Sequence, residues 1–162
     1  MKKKLIALLV VVILIVLLSA CNGFNSMMYN HLSNEDNYHA YQIVIADMNR
    51  QEDGELVIKA IFDNYRDVRP FLGVNPNRDV PLDKYIFELK VTAENHLILK
   101  DNGYFENVSV GDRIEVCTSS WIYMDSNFFY IASLSHNGKE YLGFDDGMQN
   151  IKRMMENQRS LF

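Results

Sequence analysis

Only two cysteines occur in the 162 residues, Cys21 and Cys117, and only three prolines, Pro70, Pro76 and Pro81. Two cysteines are too few for a disulfide scaffold. Basic residues are also scarce, with 16 Lys and Arg against 21 Asp and Glu, a formal charge of −5. That balance argues against nucleic acid or an anionic lipid surface as a main partner, since both select Lys/Arg clusters. The signatures of common chemistries are missing too. There is no glycine-rich phosphate loop, no His-Glu-x-x-His, no Cys-x-x-Cys pair and no Gly-x-Ser-x-Gly turn. Neither a catalytic residue nor a cofactor nor a metal is expected from the sequence.

What is present is one long apolar run near the start. Lys2, Lys3 and Lys4 precede an unbroken apolar stretch from Leu5 to Leu18, followed by Ser19, Ala20 and Cys21. Charged, apolar and small segments in that order are those of a secretory signal peptide. Leu5–Ala20 is sixteen residues long, at or below the roughly 17 that a membrane-spanning helix needs. Small residues before the cysteine serve a peptidase, and a spanning helix has no use for them. The tetrad Leu18-Ser19-Ala20-Cys21 resembles the lipobox of bacterial lipoproteins. That resemblance implies cleavage after residue 20, diacylation of Cys21 and attachment to the extracytoplasmic face of the cell membrane. Two acyl chains anchor stably where one is marginal. Removal of residues 1–20 takes away three lysines, leaving 142 residues with a formal charge of −8. Frequent asparagine points to an AT-rich genome and so to a Gram-positive host.

Residues 22–39 are polar and lack a period, so residues 21–39 read as the lipidated N-terminus and a flexible tether. His31, Glu35, Asp36 and His39 fall within it, but metal ligands require a rigid frame. A single β-rich domain is expected over 40–162. Ala40–Met48 and Glu55–Asp63 form two strands around the glycine-ended loop Gln51-Glu52-Asp53-Gly54. In the second, Leu56, Ile58, Ala60 and Phe62 alternate with polar positions, the pattern of a half-buried antiparallel strand. Asn64–Lys84 holds every proline and no period. Such loops are functional or disordered, and its apolar centre Phe71-Leu72-Gly73-Val74 is expected to pack down. Tyr85–Thr92 is a strand, followed by a polar turn at Ala93-Glu94-Asn95-His96 leading into Leu97-Ile98-Leu99-Lys100. Arg113–Met124 alternates again, with a bulge expected around Thr118-Ser119-Ser120. Asn137-Gly138 predicts a type I′ hairpin pairing His136 with Lys139, Leu134 with Tyr141 and Ala132 with Gly143. Asp145-Asp146-Gly147 predicts a cap for a helix over about 146–158, with Met148, Ile151 and Met155 on its apolar stripe.

Val108-Ser109-Val110-Gly111-Asp112-Arg113-Ile114-Glu115-Val116 resembles the loop-into-strand phrase of small β-barrels, including OB-like ones. The expected fold is therefore mainly β. It would be a curled antiparallel sheet or partly open OB-like barrel with one C-terminal helix, and a two-layer α+β sandwich is the alternative.

Of the chemical candidates, Cys117 with His96 or His136 is weighed against inert packing, which a mid-strand cysteine among apolar neighbours favours. Asp145 and Asp146 read as helix-start residues. Asp63-Asn64-Tyr65-Arg66-Asp67 begins like a calcium loop but lacks its glycine and distal glutamate. The aromatic cluster is more informative. Trp121 and Tyr123, opposite Ile122 in phase, are expected at a partner-binding edge together with Phe71. The expected function is a membrane-anchored, non-catalytic binding module of the cell envelope, with an envelope protein or a small ligand as partner. An immunity-type or inhibitory lipoprotein, or an exported hydrolase with a dispersed site, is the alternative.

Overall fold

The computed structural model describes Val10, Ile13 and residues 26–62, 86–119, 122–123, 126–127 and 129–160. The rest of the signal segment with Cys21, the Asn64–Lys84 loop with Phe71, and Trp121 lie outside the described residues.

β1 (Tyr38–Arg50) is the longest strand and serves two neighbours. Its first half pairs antiparallel with β4 (Arg113–Ser119), and its second half with β2 (Leu56–Phe62). A register shift between Ile45 and Asp47 lets one strand curve through both pairings. β2 pairs with β3 (Phe87–Val91), and β4 with β7 (Phe129–His136). The ring closes where β3 runs parallel to β7, matching Leu89 with Phe129 and Lys90 with Tyr130. Five strands in the order β1-β2-β3-β7-β4 thus form a closed OB-like barrel, and β8 (Lys139–Leu142) extends it beyond β7. A separate two-stranded ladder joins β5 (Ile122–Tyr123) to β6 (Ser126–Asn127).

Period-two alternation fills the interior. Ile43, Ile45, Ile58, Leu89, Ile114 and Ile131 point inward and are fully buried. The Gly111-Asp112 turn feeds β4 into this core as the sequence implies. Gly111 holds φ +96°, its N–H donates to the Ile45 carbonyl at 2.8 Å, and the Asp112 carboxylate accepts from Ser109 N at 2.8 Å. A bulge does occur in this pairing, but on the partner strand: Cys117 pairs with Ser133 and Thr118 with Ile131, so the extra residue is Ala132 of β7 and not one of Thr118-Ser119-Ser120 in β4.

Several expectations are corrected. The turn at Ala93–His96 and the apolar run after it form one helix, α2 (Ala93–Asp101), capped by Thr92, whose Oγ1 accepts from Asn95 N at 3.2 Å. Its buried face contains Asn95 and His96 beside Leu99, so no apolar stripe announces it. A short α3 (Tyr104–Asn107) follows and places the buried Tyr104 ring in the core. α2 and α3 lie between β3 and β4 in the chain. The Asn137-Gly138 turn has the two positive φ angles required (51° and 77°), and His136 pairs with Lys139. Beyond it the register slips, so that Leu134 faces Leu142 and Tyr141 is left to pack on Tyr104. The C-terminal helix, α4, starts earlier than expected (Phe144–Ser160), with Asp145 and Asp146 in its first turn.

The largest correction concerns the tether. Residues 26–32 form a helix, α1, and a 3-10 turn over Glu35–Asn37, capped by Asn34, leads into β1. Met28 and Leu32 pack with Tyr38, Tyr130, Ala132 and the α4 stripe Met148, Ile151 and Met155 in a second apolar cluster. Leu32 is fully buried. β7 is consequently buried on both faces, which explains its near-continuous apolar run Phe129–Leu134.

Candidate functional site

A concavity lies on the outside of the barrel where β1, β2 and β3 run side by side. It is an open groove of about 450 Å³. Cross-strand register builds its floor. Lys59 of β2 faces Glu88 of β3, and on its other side Asp47 of β1, which lies beside the lining. One step along, Asn49 faces Val57, and Val57 faces Lys90. Neighbours of opposite charge therefore alternate across the sheet, an arrangement that stabilises pairs on an exposed face. The outward phase of each strand follows from the inward packing of Leu56, Ile58, Ala60 and Leu89.

The β1–β2 loop supplies the upper wall with Gln51, Asp53 and Glu55. Gln51 N donates to the Glu55 carbonyl at 2.8 Å, and Asp53 Oδ1 accepts from Glu55 N at 3.0 Å. Gly54, at φ +89°, provides the left-handed position that the loop needs. His96 of α2 secures the loop from behind, with Nδ1 2.9 Å from the Gly54 carbonyl. A carbonyl only accepts, so Nδ1 carries the proton there.

Burial pushes the Glu55 carboxyl above the ordinary glutamate range. Lys90 opposes that shift, and the charges of Asp53 and Glu94 add to it. Lys90 Nζ lies 5.9 Å from the Tyr130 ring centroid, within reach of a cation–π attraction. Burial raises the Tyr130 hydroxyl well above the usual phenol range, with the charge of Glu55 contributing. The groove therefore abuts the second apolar cluster, to which Tyr130 belongs.

Among the described lining residues, Asp53, Glu55 and Glu88 outnumber Lys59 and Lys90, and none is aromatic. The surface can hydrogen-bond and ion-pair with a hydrophilic ligand.

The residues singled out in the sequence are not gathered here. Of the aromatic edge, only the Tyr123 backbone is described, paired with Ser126, whereas Trp121 and Phe71 lie outside the described residues along with Cys21. Cys117 is half-buried beside the second cluster, and burial pushes its thiol up, away from the thiolate. Its two proposed partners are engaged elsewhere, His96 with Gly54 and His136 Nδ1 with the Arg113 carbonyl at 2.9 Å. Glu35 pairs with Lys152 at 3.1 Å, and His39 stacks edge-on against Tyr41. Among the described residues, no three His, Cys, Asp or Glu side chains come together as metal ligands. The Asp63–Asp67 segment lies outside the described residues.

The groove itself was missed at the level of sequence, although its signal was there. Lys59, Glu88 and Lys90 occupy the polar phase of strands whose apolar phase was evident. Their convergence depends on strand order, which periodicity does not carry. No family model, no curated protein and no solved structure matches the chain.

Proposed function

We propose that the chain is an extracytoplasmic lipoprotein. It is anchored to the cell membrane through diacylated Cys21, and its OB-like barrel acts as a non-catalytic binding module of the cell envelope. The Leu18-Ser19-Ala20-Cys21 tetrad supports the anchor. The observation that carries the binding role is the polar groove on the outer face of β1, β2 and β3, walled by a loop that His96 fixes in place. Its alternating charges favour a hydrophilic ligand that bears both signs or many hydrogen-bonding groups. The acidic lining argues against nucleic acid. Trp121, Tyr123 and Phe71 form the second element of the proposal, an aromatic edge for an envelope protein partner.

Immobilised lipid-bearing protein, incubated with solubilised envelope components, should retain a ligand. The Lys59→Glu/Lys90→Glu variant, with its circular dichroism unchanged, should bind that ligand at least about tenfold more weakly, equivalent to ~1.4 kcal/mol. Equal retention by wild type and variant removes the groove from the account. Trp121→Ala with Tyr123→Ala should lower partner binding while the domain stays folded. Loss of the folded state would assign those rings to the core instead.

A further inference from the structure

α1 begins within five residue steps of the proposed lipid attachment point at Cys21. A chain spans at most about 3.6 Å per residue, so Ser26 lies no farther than roughly 18 Å from Cys21, whatever path the intervening residues take. From Ser26 onward the chain is joined to the domain. Met28 is buried and Leu32 fully so, against Tyr130, Met148 and Ile151. Ser33 N and Oγ both bond to the Tyr29 carbonyl, at 2.9 and 2.6 Å, and Tyr38 Oη donates to the Leu32 carbonyl at 2.9 Å. Lys152 Nζ of α4 meets Glu35 at 3.1 Å across the same junction. That exposed ion pair is the weaker fastening, and burial of the apolar side chains is the stronger.

We infer that α1 is a fixed stem rather than a tether, and that it holds the barrel directly against the bilayer. This rests on the lipoprotein reading above. Tyr130, whose ring centroid lies 5.9 Å from Lys90 Nζ of the groove, belongs to the same apolar cluster as Met28 and Leu32.

Neutron reflectometry of the full lipidated protein on a supported phosphatidylglycerol/phosphatidylcholine bilayer tests this. The wild type should form a protein layer whose inner edge lies within about 18 Å of the headgroups. Insertion of twelve Gly/Ser residues after Cys21 leaves the packed helix intact and should move the layer outward by roughly 20 Å, the coil dimension of such a linker. Leu32→Asp, which releases α1, should move it outward as well. A wild-type layer already as distant as that of the insertion variant overturns the stem, while the anchor stands. Protein that forms no bound layer and carries no lipid at Cys21 overturns both.

Discussion

Single residues show where the fold leaves no room. Gly147 is at the end of the first turn of α4, against the bulged Ala132 of β7. A Cβ added there runs into the Ala132 carbonyl oxygen and its neighbouring backbone atoms. Those atoms belong to a strand and have nowhere to go. Gly147→Ala should therefore cost about 2 kcal/mol despite its better helix propensity, because overpacking outweighs the propensity gain of roughly 1 kcal/mol. A lowered thermal midpoint would confirm it, and a raised one would show that α4 stands farther from β7. Glu55 supplies a pH-dependent case. Burial lifts its folded-state pKa above the ordinary value near 4.5, so ionisation costs the folded state more than the unfolded one. Its contribution to stability is complete below that value and is lost as pH rises through the folded pKa. Glu55→Gln should consequently raise the urea midpoint at pH 7, with the advantage fading towards pH 4. An advantage of the same size at both pH values would place Glu55 in water.

Among the elements, the strands were legible and the helices less so. β1, β2, β3 and β4 alternate because one face meets the core, and the Asn137-Gly138 turn declared itself through two positive φ positions. α2 was missed because Asn95, on its buried face, is polar. Asn95 is satisfied across the structure, its Oδ1 accepting from Asn150 Nδ2 at 2.8 Å and its own Nδ2 donating to the Gly147 carbonyl at 3.3 Å. Partners on a distant helix are invisible to local periodicity. α1 was missed for a related reason. Only Met28 and Leu32 mark its buried side, four residues apart, and polar neighbours surround them. The barrel order was out of reach of any local pattern, since the parallel β3–β7 pairing joins segments about forty residues apart. The groove, which depends on that order, was out of reach with it. For α1 the expected outcome is specific. Leu32→Ala should cost about 3 kcal/mol, the usual scale for emptying a closed apolar site. Amide exchange should accelerate in both α1 and α4, because they share one cluster. Faster exchange confined to α1 would mean that α4 holds to β7 without it.

On the scale of the whole molecule, two apolar cores are organised around one strand. β7 faces the barrel interior through Phe129 and Ile131, and the two packed helices through Tyr130 and Ala132. The barrel presents a hydrophilic groove, and α1 and α4 pack on the other face of β7. The proposed lipoprotein reading would set anchor, stem and barrel one after another along the chain, with the binding domain held at the membrane. Everything in that arrangement depends on the chemistry of residue 21. Intact-mass and peptide mass spectrometry of the protein from the membrane fraction of its host tests it most directly. The account predicts a chain that begins at Cys21, with a diacylglyceryl group on its sulfur. An unlipidated full-length species starting at Met1 would contradict it.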